Sequence, residues 1–227
     1  MAEIFDLDSY ISNYWNGAGY ATPPYIVDNS GVSVSLLDFS YLPPPPAPAV
    51  PVVLLSTDYF NQTSVTDTET FQTSKSTTAT FQWALTEGIK IGAKAAFEVD
   101  VPVIGGAKVE VSTELNFSAT ETQTASETQT WTWNVTVPVP ASSHIHLDAI
   151  VSTLIYKPNF TAHISLSGNS EAYLPDRSRA GGASIGYIVQ GQTGFQVSPD
   201  LSSAVYTATG TFKGVLGIES TVKTQEL

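Results

Sequence analysis

The histidines and carboxylates are the residues of this sequence that could bind a metal ion or take part in catalysis. His144, His146 and Asp148 alternate along a segment patterned as a strand, so their side chains share one face. Imidazole and carboxylate groups placed together can bind a metal ion. Residues at this spacing are more often plain solvent-facing positions, and His163 has no such neighbours. We therefore expect no metal site and no cofactor.

Signatures of catalysis are also missing from the sequence. Its 227 residues contain no nucleophile elbow, phosphate-binding loop or glycine-rich nucleotide fingerprint. The carboxylates lie mostly in threonine-rich segments, and the lack of cysteine excludes disulfides and thiolate metal sites. We expect a protein that is not an enzyme.

The composition indicates a β-rich globular protein. Hydrophobic residues make up 42% of the chain and charged residues only 13%, which excludes a disordered chain. The abundant Thr, Ser, Val and aromatic residues favour half-buried strands. The net charge of −12 excludes a nucleic-acid binder, which needs a basic surface, and disfavours unaided binding to anionic lipid.

The N-terminal residues do not resemble a signal peptide. They read MAEIFDLDSYISNYW, with acidic residues where a signal peptide is basic and without a continuous apolar run. No stretch approaches the roughly 20 apolar residues of a spanning helix. We expect a protein that is made soluble and is then secreted or released, for example from an inclusion.

Residues 89–117 carry the strongest pattern in the sequence. Odd-numbered positions are mostly apolar and even-numbered positions are mostly charged or small, through both arms at 89–103 and 107–117. Because strand side chains alternate, each arm has one apolar and one charged face. Strands of transmembrane β-barrels alternate in this way over about 9–11 residues. A hairpin covering the core of a water-soluble β-sandwich would alternate as well.

The connection between the two arms is predicted from their pairing. A three-residue turn, Ile104–Gly105–Gly106, places apolar residues opposite apolar residues, for example Val99 opposite Val111. Gly106 suits the left-handed position near the end of such a turn. The tip at 101–107 is apolar, whereas exposed loop tips are usually polar. This tip favours the membrane interpretation of the hairpin.

The rest of the chain divides into a short first part and a long second part. Residues 4–17 have apolar side chains at helical spacing and end at a glycine. The proline-rich segment 43–51 predicts an extended spacer. We place a head segment at 1–50 and a β-rich module at 51–227, parts of which, within 141–200, can pack with the head.

Strands are predicted at 31–39, 131–140, 144–156, 160–167, 183–190 and 204–218. The Ser/Thr/Gln-rich stretches at 61–86 and 118–130 are predicted to be long, polar, paired strands.

Aromatic residues are concentrated near the N-terminus. Tyrosine and tryptophan suit partly wet contact surfaces, so one interpretation is a receptor-binding patch, for instance for a glycan or a glycolipid. The other is that these side chains pack the predicted helix onto the head, most of all Tyr14 and Trp15. The residues concerned are Tyr10, Tyr14, Trp15, Tyr20 and Tyr25.

The sequence resembles the aerolysin-like β-pore-forming toxins, in particular the branch of epsilon toxin and of the mosquitocidal and parasporal crystal toxins. The similarity lies in the alternating hairpin between Ser/Thr-rich stretches, the Thr/Glu/Gln tract after it, and the VPVP strand. The C-terminal YTATGTFKGVLG, at 206–217, resembles the end of that family's pore-forming module. The resemblance covers about 52–227.

The resemblance implies a fold and a mode of action. It implies a mainly β, elongated protein of long, twisted antiparallel strands, with a small N-terminal head containing a short helix. Such a protein binds a cell-surface receptor (a glycan, a glycolipid or a protein), oligomerises on the target membrane, and inserts one hairpin per subunit into a common barrel. The alternative function is a non-lytic, β-rich carbohydrate-binding or adhesion module.

The resemblance also assigns the two faces of the hairpin. The lipid-facing residues would be Ile89, Ile91, Ala93, Ala95, Phe97, Val99, Val101, Val109, Val111, Leu115 and Phe117. The lumen-facing residues would be Lys90, Lys94, Glu98, Asp100, Lys108, Glu110 and Glu114.

Overall fold

The computed structural model describes residues 2–17, 25–44, 47–92, 96–104 and 111–227. Of these residues 68% lie in strands and 7% in helices, far from the mixed composition of an average soluble domain. The predicted class, mainly β with elongated sheets, is confirmed. No helix within the described ranges is long and apolar enough to cross a membrane.

The described secondary structure comprises two helices and thirteen strands. The helices are α1 (Leu7–Gly17) and α2 (Ile185–Ile188). The strands, in chain order, are β1 (Glu3–Asp6), β2 (Ile26–Asp28), β3 (Val32–Leu42), β4 (Val50–Phe60), β5 (Asp67–Lys90), β6 (Ala96–Asp100), β7 (Ser112–Asn116), β8 (Gln123–Val139), β9 (His144–Tyr156), β10 (Asn159–Tyr173), β11 (Arg179–Ser184), β12 (Phe195–Val197) and β13 (Ser203–Glu226).

Two strands of 24 residues, β5 and β13, run through the whole molecule. At roughly 3.3 Å per residue each spans about 80 Å. They pair with each other from Thr80↔Val215 to Glu87↔Thr209, in the C-terminal half of β5 and close to the middle of β13. On either side of this crossing they take different partners, which divides the molecule into a head half and a tail half.

In the head half, β10 pairs with β13 on one side and with β3 on the other. The far end of β10 pairs with β2 and β11, and β1 adds in parallel to the end of β5. Helix α1 buries Leu7, Ile11 and Trp15 against this half. The main hydrophobic core therefore forms under strands from both sides of the proline-rich segment. The boundary at residue 50 stays a prediction.

In the tail half, two layers enclose a second, smaller core. One layer is the β5–β8 pair, which runs from Asp67↔Val139 to Trp83↔Gln123. The other is β4, β9 and the C-terminal part of β13. Phe71 and Trp133 of the first layer pack against Leu147 and Val151 of the second. The predicted pairing of the Ser/Thr-rich stretches is confirmed.

Two local predictions are wrong. The helix does not begin at residue 4, because Glu3–Asp6 pairs as a strand and Asp6 caps α1 by accepting a hydrogen bond from the Ser9 amide at 3.0 Å. The strand predicted at 183–190 ends at Ser184 and gives way to α2. Ile185 and Ile188 are buried together with Val189, and their spacing is that of one helical face.

Candidate membrane-inserting hairpin

The hairpin segment has one buried and one exposed face, as its alternation predicts. The described apolar positions Ile89, Ile91, Val99, Val101, Leu115 and Phe117 are buried in the main core, and Phe97 and Val111 are half-buried against it. Lys90, Glu98, Asp100 and Glu114 are exposed. Among the described residues, the side chains assigned to lipid thus lie against protein in this conformation, while those assigned to the lumen face water.

The centre of the hairpin forms a sheet of its own. Strands β6 and β7 pair only with each other among the described strands, from Ala96↔Asn116 to Asp100↔Ser112. The predicted register is wrong by two residues, because Val99 lies opposite Thr113 rather than Val111. A shift of two residues leaves every side chain on its predicted face, since the period of a strand is two.

Several predicted residues lie outside the described ranges. They are Tyr20, Ala93, Lys94, Ala95, Gly105, Gly106, Lys108, Val109 and Glu110. Of the predicted turn the structure describes Ile104, whose side chain is buried with 1% of its surface exposed. A Cβ at Gly214 on β13 would lie 2.8 Å from the Ile104 Cδ1 atom, so this glycine leaves room for the hairpin tip.

A group of aromatic residues forms the surface on which the hairpin rests. Phe39 stacks on Phe160 at a centroid distance of 5.1 Å and meets Phe117 edge-on at 6.4 Å. Tyr41 packs against Phe212 at 5.3 Å. Aromatic pairs at these separations are favourable beyond the area that they bury. The apolar face of the hairpin therefore rests on a well-packed surface contributed by β3, β10 and β13.

Tyr41 also ties the hairpin backbone to the core. Its hydroxyl donates a hydrogen bond to the Asp100 carbonyl oxygen at 2.9 Å and accepts one from Trp83 Nε1 at 3.0 Å. Burial, with a smaller contribution from the Asp100 charge, raises the pKa of Tyr41, while the Trp83 bond lowers it. The hydroxyl remains a donor throughout the accessible pH range. No local pattern in the sequence marks Tyr41 for this role, because its partners are 42 and 59 residues away.

The N-terminal strand holds the base of the hairpin. β1 pairs in parallel with the last four residues of β5, so that Asp6 lies opposite Lys90. The two side chains form an ion pair at 2.8 Å; the Lys90 ammonium lowers the pKa of Asp6 through a hydrogen bond, and Asp6 raises the pKa of Lys90. Asp8 accepts a hydrogen bond from the Gly92 amide at 2.5 Å. Residues 87–92 are thus held by both backbone and side-chain contacts.

The aromatic residues near the N-terminus divide into two groups. Tyr10, Tyr14 and Tyr25 are half-buried. Trp15 does not belong to a surface patch, because only 4% of it is exposed and its Nε1 donates a hydrogen bond to the Ser170 hydroxyl at 3.1 Å. Burial and this bond assign Trp15 to the packing of α1 on the head.

His144, His146 and Asp148 share one face of β9, as predicted, and face an aspartate on β4. The Asp58 Oδ1 atom lies 2.7 Å from His146 Nδ1 and 3.1 Å from His144 Nε2. Asp148 lies 3.2 Å from the other nitrogen of His146. No group of side chains suited to a metal ion is present among the described residues. The cluster joins β4, an outer strand, to β9.

The sequence matches one family of known proteins over most of its length. Residues 44–227 match the family model of Clostridium epsilon toxin ETX and Bacillus mosquitocidal toxin MTX2. No curated protein sequence matches the chain significantly. The family match includes the whole hairpin and all the strands of the tail half.

Solved structures show the same fold at low sequence identity. A non-toxic crystal protein from Bacillus thuringiensis has a TM-score of 0.76 at 19% identity, over 97% of this chain and 94% of its own. One chain of the Cry23Aa1 and Cry37Aa1 binary protein complex has a TM-score of 0.67 at 22% identity, over 98% of this chain and 89% of its own. The Mpp75Aa1.1 β-pore-forming protein from Brevibacillus laterosporus gives 0.64 at 16%, over 99% and 90%. At these identities the likeness establishes the fold.

Proposed function

The chain belongs to the family of Clostridium epsilon toxin ETX and Bacillus mosquitocidal toxin MTX2, a family of pore-forming toxins, and we propose that residues 89–117 are the segment that enters the membrane. The apolar face of the segment then meets lipid. Its charged face lines the lumen of a transmembrane β-barrel to which every subunit contributes one hairpin.

One observation carries this proposal. The centre of the hairpin is a two-stranded sheet whose strands pair with no other described strand; its apolar face is covered by the core and its charged face is in water. This two-stranded sheet can separate from the core without breaking the strand pairing of either long-stranded layer. It also already has the two faces that a barrel needs.

The proposal implies partners and a sequence of events. A single hairpin in lipid would leave unpaired backbone groups at its edges, so subunits must close a ring before or during insertion. Contact with the target cell comes first, through a receptor for which the half-buried tyrosines Tyr10, Tyr14 and Tyr25 are candidates. The protein is released in a soluble form and works without catalysis or a cofactor.

A charge at the hairpin tip tests the proposal. Val99→Arg is unsuitable, because only 3% of Val99 is exposed and an arginine there would disrupt the core. Val103, in contrast, is 71% exposed and lies at the tip. The tip must cross the middle of the bilayer, where an arginine costs about 2–4 kcal/mol in a barrel, so Val103→Arg should slow insertion roughly 30-fold or more. The measurement is dye release from phosphatidylcholine–cholesterol vesicles, with red-cell lysis in parallel.

Val65→Arg is the matched control. Val65 is 65% exposed and lies in the loop between β4 and β5, away from the hairpin. Both variants should melt at the temperature of the unmodified protein, and Val65→Arg should retain its rate of release. Equal rates for the two variants would contradict insertion of the tip. A protein that binds glycans as a persistent monomer and never causes leakage would instead be an adhesion module.

A further inference from the structure

The hairpin and the strands from which it arises are paired in different registers. The β5–β8 ladder ends at Trp83↔Gln123. Ile89 lies six residues after Trp83, and Phe117 lies six residues before Gln123. The Ile89 amide donates a hydrogen bond to the Phe117 carbonyl oxygen at 2.9 Å, so the register of the β5–β8 ladder is unchanged at that point. The next observed pair, Ala96↔Asn116, belongs to another register. Between these two contacts the first arm advances by seven residues and the second by one.

The first arm therefore holds six residues more than a continuous ladder would allow. The described part of this surplus is Lys90, Ile91 and Gly92, and Gly92 has a left-handed backbone, with φ +49. Asp6 and Asp8 of the N-terminal segment bind Lys90 and the Gly92 amide. The soluble protein thus supplies partners to a part of the arm that the β5–β8 ladder does not pair.

Lipid cannot supply those partners. In the bilayer core no water satisfies an unpaired backbone group, so surplus residues in one arm of a membrane-spanning hairpin are strongly unfavourable. We propose that insertion shifts β6 and β7 by six residues relative to each other, into the register of β5 and β8, so that one uninterrupted ladder runs from Asp67↔Val139 to the tip. This inference rests on the proposed function of residues 89–117.

The shifted register preserves the two faces of the hairpin. Six is an even number, so each side chain stays on the side of the sheet where it already lies. Ile89 then lies opposite Phe117 and Ile91 opposite Leu115, which pairs apolar residues throughout that part of the arms. The shifted pairing is centred on Val103, so Pro102 lies in the turn at the tip of the hairpin. Proline has no backbone N–H group, and in a turn this interrupts no hydrogen bond of the ladder.

The charges on the other face favour the shifted register as well. In the soluble structure Glu98 lies directly opposite Glu114, and like charges in that position are destabilising. In the shifted register Glu98 lies opposite Lys108, and Glu114 lies opposite Gly92. The soluble hairpin therefore contains a repulsion that the shift would exchange for an attraction.

A disulfide that fixes the soluble register tests the inference. Asp100 and Ser112 are directly opposite and exposed, a placement that suits a cross-strand disulfide. The chain has no cysteine, so the variant Asp100→Cys/Ser112→Cys can form only this bridge within one molecule. We expect its oxidised form to release dye from phosphatidylcholine–cholesterol vesicles at least tenfold more slowly than its reduced form. Thiol titration and melting curves verify the bridge and the fold.

The matched control is a bridge in the ladder that keeps its register. Ser76 and Thr130 are directly opposite in β5–β8, with hydroxyl oxygens 3.4 Å apart. Oxidised and reduced Ser76→Cys/Thr130→Cys should release dye equally fast.

Equal rates of dye release by oxidised and reduced Asp100→Cys/Ser112→Cys would overturn the shift of register but not the insertion of the hairpin. A block by the Ser76–Thr130 bridge would overturn the continuous ladder. Absence of leakage from the unmodified protein on vesicles and red cells would remove the proposed function, and the shift with it.

Discussion

At the scale of single residues, His146 and Asp58 couple an outer strand of the tail to its neighbour. The 2.7 Å contact between them raises the pKa of His146, and both imidazoles, that of His146 first, lower the pKa of Asp58. Asp148, itself opposite Lys223 on β13, lies at the other nitrogen of His146. The ionised pair therefore favours the attachment of β4 to β9.

The sign of these shifts fixes a pH dependence. A histidine whose pKa is raised on folding contributes stability that is fully present below its unfolded pKa, about 6.5, and that is lost as the pH rises through the folded pKa. We expect His146→Gln to lower the melting temperature more at pH 5.5 than at pH 9. Asp58→Asn should show the same pattern, since Asp58 stays ionised at both pH values. An equal loss at the two pH values would contradict the coupling.

The faces of the hairpin could be predicted from the sequence, but its anchoring contacts could not. Alternation is a local property, because neighbouring side chains on any strand point to opposite faces. The contacts from Tyr41 to Asp100 and from Asp8 to Gly92 join residues 59 and 84 positions apart. Such pairs depend on how the strands are arranged in the sheet. Nothing in either local sequence distinguishes these residues from others of their type.

At the scale of elements, β1 acts as a restraint on the hairpin. Its four residues pair with the end of β5, and two of those partners, Ile89 and Lys90, belong to the segment that we propose to insert. Release of the hairpin therefore requires this parallel pairing and the Asp6–Lys90 ion pair to be broken. Ile4 of β1 continues the helical spacing of the apolar residues of α1, which is why the sequence suggested one continuous helix.

Asp6→Asn should loosen this restraint without unfolding α1. Asparagine caps a helix about as well as aspartate, so the bond from the Ser9 amide is retained while the charge opposite Lys90 is lost. The reporter is a single cysteine in place of the buried Val99, whose labelling by a thiol reagent follows opening of the hairpin. We expect labelling to be roughly twofold to fivefold faster with Asp6→Asn, the modest effect of an exposed ion pair.

Two controls separate local release from general destabilisation. Asp176→Asn removes a similar carboxylate, bonded to the Ser178 amide at 2.9 Å, from a turn between β10 and β11, and should leave the labelling rate of the Val99 position unchanged. A cysteine in place of Ala208, buried in β13, should be labelled equally fast with and without Asp6→Asn. Faster labelling at both reporters would mean that Asp6 stabilises the whole head and not the hairpin in particular.

At the scale of the whole molecule, charge determines which membranes the protein can approach. The chain carries 21 acidic and nine basic residues, a net charge of −12. A surface rich in anionic lipids, such as the cytoplasmic leaflet, is negatively charged and repels such a protein over about one Debye length. We therefore expect approach to a membrane to depend on a receptor or on zwitterionic lipid, and this remains a prediction from the composition.

Anionic lipid should accordingly slow pore formation. We expect vesicles with about a third of their phosphatidylcholine replaced by phosphatidylserine to leak more slowly than purely zwitterionic ones at low salt. The difference should shrink as the ionic strength rises to about 0.5 M, because salt screens interactions between exposed charges. A faster rate on the anionic vesicles, or a difference that does not depend on salt, would mean that bulk charge does not govern the approach.

The burial of the odd-numbered face has a consequence for how such a protein can be tuned. Protein interiors are close-packed, so removing a methylene from Phe117 or Leu115 leaves a void that rigid neighbours cannot fill. Acyl chains are fluid and flow into any space that a smaller side chain leaves. In the insertion that we propose, a conservative shortening of these side chains would destabilise the soluble form while leaving the inserted form almost unchanged. Substitutions at these positions would thus change the rate of insertion without changing the stability of the inserted barrel.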